Sequence, residues 1–265
     1  MPELRTATRY VTPLREGGSL PALVEADDLG LYVLKFRGAG QGPKALIAEW
    51  LAGELARALG LAVPRIVLMQ LDAELARTEP DPEIQDLVRA SAGLNLALDF
   101  LPGAVTFDPL LHPPTPALAS ALVWFDAFVS NVDRTPRNSN LLGWHGRMWL
   151  IDHGAALTFH HQWGDPVQQA QRPASLLAGA KGHVLLPWAR EIAAADALLA
   201  PRLTPALVHE LLAQVPDGWL EGDPTFADVA EHRAAYEAWF GARLAVRDLL
   251  VQQLQEAQRA ATRHV

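Results

Sequence analysis

The stretch NVDRTPRNSNLLGWHGRMWLIDHG, residues 131–154, decides how the rest of the chain is read. Acids and amides gather at its two ends, and its apolar middle turns on His145-Gly146. Glycine in that pair supplies the positive backbone dihedral that a two-residue hairpin requires. NLLGW and RMWLI then pair antiparallel, with Trp144 opposite Arg147 and Leu142 opposite Trp149. Counting outward sets Asn140 opposite Ile151 and Ser139 opposite Asp152, which leaves Asn138 on a diagonal from Asp152. Diagonal neighbours stand about 7–8 Å apart or less at their side-chain roots. An amide and a carboxylate at that separation can share magnesium, a hard cation that takes oxygen ligands and keeps several waters. Asp133 faces the same opening from the loop that leaves a helix. Phosphoryl transfer asks for such a set: one aspartate to orient a hydroxyl, an asparagine and a second aspartate for the metal.

A nucleotide site also needs a cation for the phosphates. Lys35 ends LYVLKF, where Leu31, Val33 and Lys35 share one strand face. The following helix offers two acidic partners. At about 100° per residue, Glu49 lies about 80° from the centre of the apolar stripe and Glu54 about 140°. Glu49 borders the buried face and is the expected partner of Lys35. Upstream, Gly17, Gly18 and Ser19 precede a strand, where glycines let backbone amides approach phosphates closely. Lys44 is not a Walker lysine, because residue 43 is proline and the Gly-Lys pair is missing.

Bulk composition narrows the class. The 265 residues suffice for one large domain or two lobes, and half of them are hydrophobic against a fifth charged. A formal charge of −8 argues against general nucleic-acid binding, which needs a basic footprint. With no cysteine, disulfides, thiolate catalysis and cysteine zinc sites are excluded. No apolar signal core opens the chain and no stretch of about 18 uncharged apolar residues occurs, so a cytoplasmic protein without a membrane span is expected.

Along the chain, SLPALVEADD and GLYVLKF read as a hairpin, PKALIAEWLAGELARALGL as a helix stopping at Gly60, and VPRIVLMQL as a further strand. GLNLALDFLPGA is a strand running into a turn, after which helical patterns dominate: ALASALVWFDAFVSN, several segments between 174 and 215, and a long helical tail from 225 to 262. The expected fold is α+β with two lobes, a strand-rich part over residues 1–100 and a mostly helical part over residues 101–265.

The ordered set GGSLPALVEADDLGLYVLKF, QGPKALIAEWLAGELARALGLAVP, LDFLPGA, NVDRTPRNSNLL and WLIDHG resembles the HipA-like kinases, a bacterial branch of the protein-kinase-like superfold. The resemblance spans about residues 10–160 and is most specific in DRTPRNSNLL with IDHG. It implies ATP and magnesium as cofactors, with Lys35 on the α- and β-phosphates and Glu49 anchoring that lysine. It further implies that Asp99, Phe100 and Leu101 form the strand contacting adenine. Asp133 would be the catalytic aspartate, and Asn138 and Asp152 the magnesium ligands. Two departures stand out: Asp-His-Gly where most protein kinases have Asp-Phe-Gly, and Arg134 after the catalytic aspartate, as in phosphoinositide kinases.

The leading expectation is a kinase acting on a hydroxyl, with protein serine or threonine first and a small-molecule acceptor as the alternative. Arg134, Arg137 and Lys181 are candidates for steering an acidic acceptor. Two other classes compete. His153, His160, His161, Asp152 and Asp165 are near in sequence and could serve a metal-dependent hydrolase. A non-catalytic nucleotide-binding protein would use the same site without turnover.

Overall fold

The computed structural model describes residues 2–14 and 20–262. Its N-terminal part is a closed five-stranded barrel ordered β1-β2-β3-β5-β4. The strands are β1 (Leu4–Pro13), β2 (Ala22–Ala26), β3 (Leu31–Lys35), β4 (Ile66–Leu71) and β5 (Gly93–Asp99). β1 closes the barrel by pairing parallel with β4, while the other pairings are antiparallel. Helices α1 (Pro43–Ala58) and α2 (Pro82–Ala90) are inserted between strands. The short strands β6 (Val105–Thr106), β7 (Leu141–Trp144) and β8 (Arg147–Leu150) form a second sheet around α3 (Pro116–Phe128) in chain order. Beyond it the chain is helical: α4 (Pro166–Gln171), α5 (Pro173–Leu176), α6 (Ile192–Leu199), α7 (Pro205–Ala213), α8 (Asp217–Leu220), α9 (Val229–Ala245) and α10 (Arg247–Ala261). The fold is thus mixed, strand-rich then helical.

Strand alternation explains how the barrel meets the rest. Val67, Met69 and Ala97 point into the barrel with Val24, Tyr32 and Leu34. Their neighbours Ile66, Leu68, Leu96 and Leu98 point the other way, into a core shared with α1, α3 and the C-terminal helices. β4 and β5 are therefore apolar on both faces, the pattern of strands covered on two sides. α1 is the element common to both parts. Ten of its residues are buried, including Trp50 and Leu51. Gly53 permits its close approach to β4, because a Cβ there would collide with the Ile66 side chain.

Prolines set many helix starts. Asp81-Pro82, Thr115-Pro116, Asp165-Pro166 and Thr204-Pro205 each pair a capping side chain with proline at the first helical position. The cap accepts an otherwise unpaired N–H, and proline lacks the one that would be wasted there. α1 ends at Gly60, whose φ of 86° is the left-handed conformation that closes helices. The expected tail helix over 225–262 is two helices, broken at Val246 (φ −107°). β1 and α2 add to the elements anticipated from sequence. No helix among the described residues is long and apolar enough to cross a membrane.

Candidate active site

The β7–β8 hairpin has the register counted from the sequence, Trp144 facing Arg147 and Leu142 facing Trp149 across His145-Gly146. Further out the regular pairing ends. The ladder stops at Leu141–Leu150, with one added bond from Ile151 N–H to the Asn140 carbonyl. Asn140 (φ 48°) and Asp152 (φ 55°) then turn left-handed, so the flanking residues leave the sheet. The Asn138 amide accordingly meets Asp133 rather than a cross-strand partner. Its Nδ2 donates to Asp133 Oδ2 at 2.8 Å. Asn140 Nδ2 donates to the same oxygen at 3.1 Å.

Strand, helix and hairpin converge on Lys35. Its Nζ lies 2.6 Å from Asp152 Oδ1 and 3.8 Å from Glu49 Oε2. Glu49 is 1% exposed, whereas Glu54 sits nearer solvent and pairs with Arg57. Burial alone would raise the Glu49 carboxyl. The Lys35 charge and hydrogen bonds from His153 overcome it and hold the group down at about 2. Burial likewise opposes the Lys35 charge, but Glu49, Asp152 and the more distant Asp133 keep its ammonium above the ordinary lysine value. His153 matters here through its backbone, whose N–H donates to Glu49 Oε2 at 2.9 Å. Its ring Nδ1 is 3.4 Å from Oε1. The sequence marked His153 as a departure from phenylalanine and as a candidate hydrolase ligand; its hold on Glu49 had no local signal.

Behind Asp133 stands a buried network that sequence reasoning missed. Asp126, on α3, binds Arg134 Nε at 2.5 Å, Asn131 Nδ2 at 3.0 Å and His183 Nε2 at 2.9 Å. His183 Nδ1 accepts from Leu185 N–H, so the ring proton sits on Nε2 and is donated to Asp126. Burial pushes the Asp126 carboxyl up, and Arg134 and His183 more than reverse this, leaving it well below the usual range. Arg134 also donates to the Asn140 carbonyl. Asp133 N–H donates to Asn131 Oδ1 at 3.2 Å. The loop from 131 to 140 is thus pinned at both ends to one carboxylate. A signal existed: Asp126 is the single charged residue of ALASALVWFDAFVSN, and a buried charge needs a partner.

Two further expectations are corrected, the steering role of Arg134 and the hydrolase cluster. Arg134 is 1% exposed and cannot steer an acceptor; it is spent on Asp126. The hydrolase cluster does not assemble, for no three acidic or histidine side chains among the described residues could hold a metal together. His160 bonds Tyr236, and Asp165 caps α4. Gly17, Gly18 and Ser19 lie outside the described residues. Asp99, Phe100 and Leu101 close β5, with Phe100 N–H on the Leu31 carbonyl and the Asp99 carboxylate on Arg65. They border a cavity of about 470 Å³ with Trp144 and Trp149, and neither Lys35 nor Asp152 lines it.

Fold and enzyme class are those of a protein-kinase-like phosphotransferase. The chain matches the HipA-like kinases over residues 8–236 and belongs to that family. Among solved structures it is similar to a Helicobacter pylori proinflammatory kinase, CtkA, at 13% identity and TM-score 0.55, covering 95% of this chain and 97% of that one. It is also similar to the Golgi casein kinase, at 12% identity and TM-score 0.53, over 98% of this chain and 76% of the other. A second structure of that kinase, with Mn and ADP bound, aligns at 10% identity and TM-score 0.52, over 94% and 73% of the two chains. At these identities the likeness concerns the fold. Comparison with curated protein sequences gave no significant match.

Proposed function

We propose that this HipA-like kinase uses ATP and magnesium to phosphorylate a hydroxyl, with protein serine or threonine as the first acceptor class, in the cytoplasm. The observation that carries the reading is Lys35 held between Glu49 and Asp152, with the Asp133 charge acting on it. A lysine so held is a fixed cation for phosphate oxygens, and Glu49 keeps it charged despite burial. The adenine end would lie along Asp99, Phe100 and Leu101, and the phosphates under Gly17, Gly18 and Ser19. Residues 1–100 and 101–265 act as the two walls of this cleft.

The donor set suits a hard cation. Asn138 uses its Nδ2 on Asp133, which leaves Oδ1 as an oxygen ligand, and Asp152 Oδ2 has no partner among the described residues. These two atoms would hold magnesium, which when bound offsets charge on the phosphate oxygens. Asp133 has a separate task. Both amides bind its Oδ2, and its Oδ1 is open among the described residues. An oriented carboxylate with one free oxygen can align an acceptor hydroxyl and take its proton.

The test is transfer of label from γ-labelled ATP with magnesium, scanned over protein fractions and small hydroxyl compounds. Label on serine or threonine supports the reading, and label confined to a small molecule replaces the acceptor class. ATP binding without transfer to any acceptor would instead make the chain a nucleotide-binding protein.

A further inference from the structure

His153 stands where most protein kinases have phenylalanine, and it brings a polar ring into a place fully shielded from solvent. Its backbone is fixed on both sides. The N–H donates to Glu49 Oε2 at 2.9 Å, and the carbonyl accepts from Ala156 N–H at 2.9 Å. The ring meets Phe125 of α3 edge-on, with centroids 6.5 Å apart. Gly154 keeps the segment close to α1, since a Cβ there would stand 3.6 Å from the Ala45 carbonyl and 3.7 Å from Glu49 Oε2.

The two oxygens of Glu49 have different partners. Oε2 receives the His153 N–H and lies 3.8 Å from Lys35 Nζ. Oε1 has a single hydrogen-bond partner among the described residues, His153 Nδ1 at 3.4 Å. An ionised carboxylate only accepts, so Nδ1 carries the proton and donates it. Nε2 is buried without a partner, so nothing draws the proton to that side of the ring. With phenylalanine at this position Oε1 would be a buried acceptor facing carbon. Rotating the carboxylate relieves that penalty, and the same rotation carries Oε2 away from Lys35.

We propose that His153 is a positioning residue: its Nδ1–H sets the orientation of the Glu49 carboxylate, and through it the place of the Lys35 ammonium. The proposal rests on the kinase activity proposed above. Asp152 and His153 are consecutive, so one dipeptide controls both partners of Lys35. Asp152 Oδ1 contacts the ammonium at 2.6 Å, and His153 holds Glu49 by backbone and ring. An apolar ring would fill the same space between α1 and α3 without setting the plane of the carboxylate. The difference reaches the chemistry because misplacing a phosphate-binding group by about 1 Å can cost about 10²-fold in rate.

Two substitutions separate packing from hydrogen bonding. His153→Phe keeps a ring and loses the donor. His153→Asn brings an amide N–H close to the place of Nδ1 and leaves a void where the ring stood. If His153 only packs, asparagine is the worse replacement in every assay. If it positions Glu49, the orders cross: asparagine gives the lower melting temperature and phenylalanine the slower transfer of label from γ-labelled ATP. His153→Phe is expected to slow transfer at saturating ATP at least about tenfold, and His153→Asn less than about threefold. In a Glu49→Met background the two variants should differ by less than about twofold.

Nitrogen NMR of the full chain with isotope-labelled histidine, free of nucleotide, reads the bond without turnover. The ring signal that disappears in His153→Asn should show a protonated Nδ1. A bare Nδ1 overturns the proposal, as does transfer by His153→Phe that equals or exceeds that of His153→Asn. A difference between the variants that persists in the Glu49→Met background also overturns it. A parent chain that labels no acceptor, itself included, refutes the kinase activity instead. The same order of variants is then read in magnesium-dependent affinity for a non-hydrolysable ATP analogue, where equal affinities overturn the positioning role and absence of binding overturns both.

Discussion

Replacing Arg134 by methionine tests whether the catalytic loop hangs on a buried charge pair. Both side chains of the Arg134–Asp126 pair are fully shielded from solvent. Removing the cation leaves Asp126 with only His183 and Asn131, in a site where an unpaired carboxylate is poorly solvated. Breaking a buried pair in this way costs about 3–5 kcal/mol. At about 2–4 °C per kcal/mol for a chain of this size, the midpoint of thermal unfolding should fall by about 6–20 °C. Circular dichroism at neutral pH measures it. The cause is checked by adding Asp126→Asn, which removes the stranded charge. That second change should destabilise the parent yet relieve the methionine variant, giving a coupling above about 1 kcal/mol in the double-mutant cycle. A loss below about 1 kcal/mol, or simple additivity, refutes the argument. A stable methionine variant with raised acceptor KM would restore the steering role first expected of Arg134.

The same carboxylate predicts a pH dependence. Because folding depresses the Asp126 pKa, its stabilisation is complete above the unfolded value of about 4 and disappears as pH falls below it. Acid unfolding that starts well above pH 5 would contradict this. Lys35→Met should abolish measurable ATP binding in calorimetry and leave the barrel folded; undiminished affinity removes Lys35 from the site. Asp133→Asn should slow transfer by about 10²–10⁴-fold while nucleotide affinity changes by less than about tenfold. Lost ATP binding in that folded variant would move Asp133 to the metal. Gly179→Ala would drive a Cβ against the Asp126 and Asn131 carbonyls, the latter at 2.8 Å, and should lower stability by about 1–3 kcal/mol. An unchanged melting temperature would show that the backbone there yields freely.

Local pattern made part of this protein readable. The hairpin register follows from one glycine and a two-residue period, and the same period puts Lys35 on the face opposite Tyr32 and Leu34. Glu49 was separable from Glu54 by helical angle alone. What escaped depends on contacts distant in sequence. Arg134 reads as a surface charge until Asp126 and His183 are placed beside it. β1 hides because only Ala7 and Tyr10 of LRTATRYVTP are buried, and two register shifts blur the alternation. The break between α9 and α10 falls at Val246, where neither glycine nor proline announces it. The Asn138–Asp133 hydrogen bond escaped because straight strands were extended past residues whose backbones turn left-handed.

The fastening of α1 bears on how this enzyme can be controlled. Lys44 reaches the His160 carbonyl and Asp223, Trp50 Nε1 reaches the Leu211 carbonyl, and Arg202 holds the Leu59 carbonyl. These bonds tie the helix carrying Glu49 to the C-terminal part at its start, its middle and its end. Uncovering two of its large side chains costs about 3–6 kcal/mol, which keeps a displaced helix below about 1% of molecules. A lever that is almost never thrown cannot serve as a throttle. A signal that worked by swinging Glu49 away from Lys35 would have to supply that energy itself.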